Sequence, residues 1–216
     1  GNVWEFNSGQ TRKTRLGDVE KGFREADSII EGTYTSLVNE HAPMEPQVSI
    51  AYIDETDRLG IHTADLGLPG AGPQHIEHIR VLAREIASAR LGIRANVACR
   101  TVVGDIAPVV DLVQETGVPI EVCAFIGSSP IRQFTENWSE EKLVSMSTEA
   151  LAFGVKEGLD VMYVTEDTTR SNPATLRRLF LNAIEIGVKR LCLCDTCGHA
   201  TPDGVQALVR FTRALI

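Results

Sequence analysis

The sequence lacks the features of a membrane or exported protein. No run of apolar residues approaches the ~18–20 that a transmembrane helix needs, and the first 15 residues, GNVWEFNSGQTRKTR, lack the apolar centre of a signal peptide. We therefore expect no membrane partner. The sequence also lacks an initial methionine. We expect Gly1 to be a tag remnant or the cut end of a longer chain.

Basic residues and cysteines are also scarce. The 21 Lys and Arg are outnumbered by 29 Asp and Glu, giving a net charge of -8. This balance argues against a broad surface for nucleic acid or anionic membranes. Five cysteines are an odd number and too few for a disulfide framework. The sequence therefore predicts a reducing, cytoplasmic compartment without a nucleic-acid partner.

From Leu59 onward, short apolar runs alternate with amphipathic stretches. The predicted strands are Gly60–Leu66, Arg94–Cys99, Pro119–Ile126, Asp160–Thr165 and Arg190–Asp195. The predicted helices are Pro73–Leu91, Gly104–Glu115, Ser139–Glu157, Asn172–Ile186 and Asp203–Ile216. The strands show little polar alternation, as in parallel strands buried on both faces. Five βα units predict an α/β fold that is part of a (β/α)8 barrel, since a complete barrel needs roughly 250 residues.

The first 58 residues have a different pattern of apolar and polar residues. A helix is predicted over Asp18–Asp27, and strands over Ile29–Thr35 and Gln47–Asp54. The second strand alternates apolar and polar residues, which is typical of a half-exposed antiparallel strand. We therefore expect two domains: a small α+β segment over 1–58 and the partial barrel over 59–216.

Polar residues cluster where the predicted barrel strands end. They are Asp65, Arg100, Ser128, Ser129, Glu166, Asp167, Arg170, Thr196 and His199. Barrel enzymes place their chemistry at these ends, and the arginine fork matches a carboxylate. The pattern favours an anionic, oxygen-rich substrate. The alternative is that Glu166 and Arg170 form an ordinary surface ion pair.

The run from Cys192 to His199, CLCDTCGH, contains residue types that bind zinc. Two of its cysteines fall within an apolar strand, and only one half of a paired CxxC arrangement is present. We interpret these cysteines as small buried residues rather than metal ligands.

Five segments at the strand ends carry a family resemblance. They are TADLGLPGAGP (63–73), NVACRTV (96–102), IEVCAFIGSSPIRQF (120–134), MYVTEDTTRS (162–171) and CDTCGHATPDGV (194–205). In this order, they resemble strands two to six of the TIM-barrel family that includes 2-isopropylmalate and homocitrate synthases, HMG-CoA lyase and the pyruvate carboxyltransferases.

The resemblance implies a metal-dependent acyltransferase that joins acetyl-CoA to a 2-oxo acid by Claisen condensation. By position in its motifs, Glu166 and Arg170 are the expected catalytic residues. Asp65, Arg100 and Thr196 are the expected substrate-binding residues. The cofactor implied is a divalent metal ion such as Mg²⁺, Mn²⁺ or Zn²⁺.

The family's metal ligands have no counterpart in this sequence. Its first strand carries an Asp-x-Thr-Leu-Arg-Asp-Gly signature and its seventh a His-x-His pair, and neither occurs here. We therefore assign no residue to a metal and expect the isolated chain to be inactive. Two open edges of a five-stranded sheet would also favour self-association into a homo-oligomer.

The N-terminal segment resembles a different family, the molybdopterin-binding subunit of xanthine dehydrogenase and aldehyde oxidase-type hydroxylases. The residues that carry this are GDVEKGFREAD (17–27), IIEGTYTS (29–36) and NEHAPMEPQVSIAYID (39–54). Asn39 stands where that family has a glutamine near the molybdenum centre. So small a fragment is not expected to hold molybdopterin.

The two resemblances meet near Arg58–Asp65 without a Gly, Ser or Pro linker. This predicts a chimeric, truncated chain rather than an evolved two-domain enzyme. Two further functions stay open beside the acyltransferase: a non-catalytic fragment and a fragment of a molybdenum hydroxylase.

Overall fold

The structure, a computed structural model, describes residues 2–5, 11–14, 18–26, 51–53 and 59–216. The chain divides into two compact units, Gly1–Met44 and Glu45–Ile216. The predicted strand Ile29–Thr35 and most of Gln47–Asp54 lie outside the described residues. No described helix is both long and apolar enough to cross a membrane.

The first unit contains a short hairpin and one helix. Strands β1 (Asn2–Glu5) and β2 (Thr11–Thr14) pair antiparallel, and neither was predicted. Helix α1 spans Val19–Glu25, within the predicted Asp18–Asp27. Asp18 caps it, because its carboxylate accepts the backbone N–H of Lys21 at 3.0 Å.

The second unit begins with an antiparallel pair and continues as a parallel α/β sheet. Strands β3 (Ala51–Ile53) and β4 (Leu59–Ile61) form the pair. The parallel sheet has the order β5-β6-β7-β8-β9. Its strands are β5 Thr63–Asp65, β6 Arg94–Arg100, β7 Ile120–Gly127, β8 Val161–Glu166 and β9 Arg190–Leu193. The helices are α2 Pro73–Ser88, α3 Val103–Thr116, α4 Pro130–Glu136, α5 Glu140–Lys156, α6 Pro173–Ile186 and α7 Pro202–Arg213.

This sheet confirms the predicted α/β class and the partial (β/α)8 barrel. The five predicted helices are all present, and α4 is an additional one. The predicted strand Gly60–Leu66 is wrong as a single element, because its first half pairs with β3 and its second half with β6. The two halves separate at His62, whose carbonyl accepts the backbone N–H of Arg94 at 2.9 Å.

The three central strands, β6, β7 and β8, are fully buried on one face only. Along β7, Val122 and Ala124 are inaccessible to solvent, whereas Glu121, Cys123 and Phe125 between them are half-buried. The expectation of burial on both faces is therefore wrong for the described part of the chain, because the helices cover a single face. The opposite face of such a sheet is the one that lines the interior of a barrel.

The outer strands of the parallel sheet are β5 and β9. Self-association through them stays a prediction. The predicted domain boundary at residue 58 also stays a prediction. The two compact units meet at residue 44, and residues 27–50 and 54–58 are not among those that the structure describes.

Candidate functional site

Three of the five residues predicted for the site line one pocket. It has a volume of about 370 Å³ and lies at the carboxyl ends of β7 and β8. Its lining residues are Phe125, Gly127, Ser129, Ile131, Arg132, Thr135, Glu166, Asp167, Arg170 and Thr196. Parallel strands bring these ends together because Gly127 and Glu166 are opposite one another in the register. The pocket thus joins two carboxylates, two guanidinium groups and hydroxyl groups.

Arg170 is held by Asp167 rather than by Glu166. Its Nε and Nη2 donate to the two oxygens of the Asp167 carboxylate at 2.7 and 2.5 Å. This two-point contact uses two of the five N–H groups of the guanidinium. Arg170 thus forms its ion pair with Asp167, and the alternative of an ion pair with Glu166 is wrong. Among the described residues, Asp167 alone accepts hydrogen bonds from Arg170, so three of its N–H groups remain to donate to an anion in the pocket.

Asp167 reaches Arg170 because its backbone adopts a left-handed conformation, with φ of 56°. Asp tolerates this region better than most residues. The guanidinium of Arg170 holds the pKa of the Asp167 carboxyl below its ordinary value. Asp167 thus stays ionised at neutral pH and keeps Arg170 in place beside Glu166.

Thr196 supports Asp167 from the next strand end. Its Oγ1 accepts the backbone N–H of Asp167 at 2.7 Å. Since this bond uses a lone pair of the hydroxyl, the hydroxyl proton can still be donated to a ligand. Thr196 can therefore bind a carboxylate oxygen while it holds the loop of Asp167.

The loops after β8 and β9 are joined by Thr168, which is buried. Its Oγ1 accepts the backbone N–H of Cys194 at 2.9 Å and lies 2.7 Å from Oγ1 of Thr165. Its own backbone N–H donates to the carbonyl of Cys194 at 3.0 Å. Thr168 therefore fixes the segment that carries Thr196 against the segment that carries Asp167 and Arg170.

Asp65 and Arg100 do not line this pocket. The Asp65 carboxylate accepts the backbone N–H of Gly67 at 2.8 Å. Arg100 forms two 2.8 Å hydrogen bonds to the buried carboxylate of Asp105. Their substrate-binding roles stay predictions, and each side chain has a local structural contact at its own strand end.

The comparison with known families covers most of the chain. Residues 38–216 match the model of the HMGL-like family. This chain belongs to the HMGL-like family. Residues 4–68 also match the molybdopterin cofactor-binding domain, so the two matches overlap over 38–68.

Curated relatives of this HMGL-like chain include a 2-isopropylmalate synthase from Halothermothrix orenii. It is 26% identical over 166 residues, which are 76% of this chain and 31% of the relative. The mitochondrial homocitrate synthase of Schizosaccharomyces pombe is 26% identical over 99% of this chain and 51% of its own length. A solved hydroxymethylglutaryl-CoA lyase from Pseudomonas aeruginosa is 17% identical, with a TM-score of 0.48 over 67% of this chain and 49% of that one. The chain thus spans about a third of the first relative and half of the second.

The described residues of this HMGL-like chain contain no cluster of metal-binding side chains. Among them, no group of three or more His, Cys, Asp or Glu side chains is arranged to hold a metal ion. Asn39 and the rest of the loop that resembles the molybdenum enzymes lie outside the described residues. That the chain lacks metal ligands and holds no molybdopterin therefore stays a prediction.

The cysteines of the CLCDTCGH run are not uniformly buried. Cys192 and Cys194 are half-buried, with their sulfur atoms 3.8 Å apart, and Cys197 is exposed. The Cys194 thiol lowers the pKa of Cys192 below its ordinary value by hydrogen bonding. In contrast, burial raises the pKa of the Cys123 thiol to about 12. The interpretation as small buried residues therefore fits Cys192 and Cys194 in part and fails for Cys197.

Arg132 is a pocket residue that the sequence reasoning missed. It lies in α4, whose first turn is capped by the Ser129 hydroxyl accepting the Arg132 backbone N–H at 3.4 Å. The signal was available in GSSPIRQF, where a serine and a proline follow an apolar strand directly. A helix that begins at the strand end places its first turn beside the pocket.

We expect the stabilising effect of Asp167 to depend on pH. Because Arg170 lowers the native-state pKa of Asp167, the carboxylate stabilises the fold at pH values above the unfolded-state pKa of about 3.9. This stabilisation is lost as the pH falls through the lower native-state value. The free energy of unfolding of wild type minus that of D167N should therefore be constant above about pH 5 and shrink below about pH 4. A difference that stays constant down to pH 2 would contradict the pairing.

Proposed function

We propose that this chain carries the 2-oxo acid pocket of an acyltransferase of the 2-isopropylmalate and homocitrate synthase type. The reaction would be the Claisen condensation of acetyl-CoA with a 2-oxo acid. The observation that carries the proposal is the gathering of Glu166, Arg170 and Thr196 in one pocket. The named functions of the relatives support the reaction class.

The two donors of the pocket suit the carboxylate end of a 2-oxo acid. Arg170 can donate to the substrate carboxylate through the N–H groups that do not bond to Asp167, and its positive charge attracts that carboxylate. The hydroxyl proton of Thr196 supplies a second, neutral hydrogen bond. Both donors are fixed before a ligand arrives, which lowers the entropy cost of binding.

Glu166 is the acid–base residue of the proposed site. It ends β8, and its backbone carbonyl accepts the hydroxyl and the N–H of Ser128 at 3.1 and 3.2 Å. These bonds fix the backbone from which the carboxylate extends into the pocket. In the condensation, a base removes a proton from the acetyl methyl group, and the resulting carbon attacks the oxo carbon. The new alkoxide takes up a proton, and water then releases CoA from its thioester.

We also propose that Asp65 and Arg100, at the ends of β5 and β6, contact the substrate. The family's divalent metal would polarise the oxo group when bound. The described residues offer no ligand set for it. We therefore propose that the isolated chain binds a 2-oxo acid without turning it over, and that it acts in a cytoplasmic compartment.

Release of CoA from acetyl-CoA, followed by chromatography, tests the absence of turnover. The chain is incubated with Mg²⁺ or Mn²⁺ and a panel of 2-oxo acids, because thiol dyes would also react with the five cysteines. We expect no release that depends on both metal and oxo acid. Release that depends on both, and that E166Q abolishes, would contradict the proposed inactivity and establish the acyltransferase directly.

The match of residues 4–68 to the molybdopterin cofactor-binding domain favours a second proposal, that the N-terminal part derives from a molybdenum hydroxylase. In that case the chain is a chimera joined within 38–68. Sequencing of single transcripts across these codons tests it. A single transcript that encodes both sides would contradict the chimera and indicate an evolved two-domain chain, whereas transcripts that diverge within the overlap would support the chimera.

A further inference from the structure

Two cysteine side chains lie next to each other where β9 ends. Cys192 is in the strand, and Cys194 is the first residue after it. Because the two residues are two positions apart along an extended chain, their side chains leave the sheet on the same side. Their sulfur atoms are 3.8 Å apart. The two thiols are therefore adjacent in the folded chain.

Both thiols lie on the face of the sheet that the described helices leave uncovered. Cys192 is opposite Val164 in the register of β8 and β9. Val164 is half-buried, whereas its neighbours Tyr163 and Thr165 are buried against the helices on the other face. Cys192 and Cys194 are themselves half-buried. Each therefore presents part of its surface to a small molecule in solution.

The hydrogen bond between the thiols makes Cys192 the more reactive of the two. The Cys194 thiol lowers the pKa of Cys192 to about 7, so a substantial fraction of Cys192 is thiolate at neutral pH. The thiolate is the form that attacks a disulfide. On β7, by contrast, burial raises the pKa of the Cys123 thiol to about 12. Cys192 is thus the expected attacking group, and Cys194 is placed to react with it next.

We propose that Cys192 and Cys194 are a reversible redox pair that exchanges with small disulfides. The Cys192 thiolate attacks one sulfur of the small disulfide, which forms a mixed disulfide and releases one thiolate. The Cys194 thiolate then attacks the Cys192 sulfur, which closes the protein disulfide and releases the second thiolate. The small disulfide is thereby reduced to two thiols, which take up the two protons that the protein thiols lose. An excess of small thiol reverses both steps.

The disulfide changes the backbone after β9. Residues two apart in a strand have Cα atoms about 6.6 Å apart, near the upper end of the roughly 4.4–6.8 Å that a disulfide spans. Closing the bond therefore draws Cys194 toward Cys192. In the reduced chain, the N–H and carbonyl of Cys194 bond to Thr168 at 2.9 and 3.0 Å. Oxidation thus loosens the contact between the loops after β8 and β9, which carry Asp167 and Thr196 of the pocket.

The test is mass spectrometry of the folded chain after incubation with oxidised glutathione. A C197S background leaves two cysteines in the tryptic peptide of residues 191–210, so a cross-link between them appears as the loss of two hydrogens. C192S and C194S are added to this background. C123S is the matched control, because Cys123 is also half-buried on the uncovered face. Circular dichroism checks that each variant is folded.

We expect the C197S chain to form the disulfide and reduced glutathione to reverse it. In C194S the reaction should stop at a mixed disulfide of glutathione with residue 192. C192S should react more slowly by about fivefold or more, and C123S should match its C197S parent. Hydrogen exchange of the Thr168 amide should be faster in the oxidised chain by about fivefold or more, the effect of losing one hydrogen bond.

Three results would overturn the inference, each in a different part. A C197S chain that loses no hydrogens, or a C192S variant that reacts as fast as C194S, would show that the two cysteines are not a redox pair. A disulfide that forms equally fast in the urea-unfolded chain would show that the fold does not position them. A disulfide that forms without changing the exchange of the Thr168 amide would overturn the effect on the loops. None of these readouts depends on the proposed function.

Discussion

Replacing Asp105 by alanine is expected to lower the free energy of unfolding of the second unit by about 2–4 kcal/mol. The buried carboxylate accepts the Arg100 backbone N–H at 3.1 Å and two guanidinium N–H groups at 2.8 Å. It also lies in the first turn of α3, where a negative charge is favoured by the helix dipole. Alanine removes all of these interactions at once.

The Asp105 carboxylate also fills space that Gly70 leaves open. A methyl group on Gly70 would lie within 2.4 Å of the three carboxylate atoms, so the loop of Gly70 packs directly on this group. The alanine variant would therefore leave a cavity beside the loop as well as an unpartnered N–H.

Urea unfolding followed by Trp138 fluorescence in the W4F background measures this loss within the second unit. Asp111→Ala is the matched control, because Asp111 is on the same helix and exposed. We expect the control to change stability by less than about 0.5 kcal/mol. A D105A variant as stable as the D111A control would contradict the assigned role of the carboxylate.

Replacing Thr168 by valine is expected to cost about 2–3 kcal/mol of unfolding free energy. Valine has nearly the same shape but cannot accept the Cys194 N–H or bond to the Thr165 hydroxyl. Both groups would lose a partner in a buried region. Because Cys194 is two residues from Thr196, the variant should also weaken 2-oxo acid binding.

Thr169→Val is the neighbouring control. The Thr169 hydroxyl donates to the exposed Asp195 carboxylate at 3.0 Å, so its loss leaves water as an alternative partner. We expect T169V to lose less than about 1 kcal/mol. If T168V is no less stable than T169V, then Thr168 does not join the two loops in the way the structure indicates.

The parallel sheet was predictable because its pattern is local. Each strand is a short apolar run, and helix starts such as Ser139 and Asn172 cap α5 and α6 by accepting backbone N–H groups, as expected. The break at His62 was not predictable from the run Gly60–Leu66, because periodicity cannot show that a strand changes partners halfway. Helix α4 was missed since seven residues are too few for a clear helical period.

The sequence predicted where the candidate site lies but not which carboxylate Arg170 contacts. Strand-end position indicated Glu166, Arg170 and Thr196, and the pocket contains all three. The alternative of an ion pair with Glu166 was left open because Asp167, the carboxylate that Arg170 contacts, is adjacent to Glu166 in sequence. The left-handed backbone at Asp167, a tertiary feature, selects between the two carboxylates.

Arg132 was not predicted as a pocket residue for a different reason. Its path into the pocket depends on the missing side chain of Gly127, on a different element. Single-residue patterns along one element do not reveal such a close approach. The sequence does contain both residues within GSSPIRQF, but only the structure shows that one lies over the other.

Isothermal titration with 2-oxovalerate tests most directly whether this pocket binds a 2-oxo acid. Wild type, R170Q and T196V are compared with R84Q, which lies outside the pocket. We expect saturable 1:1 binding to wild type and R84Q, and binding weakened by about tenfold or more in R170Q. T196V should show a smaller loss, because a neutral hydrogen bond contributes less. Absence of saturable binding to the folded wild-type chain, or equal affinity in R170Q and wild type, would contradict 2-oxo acid binding by this pocket.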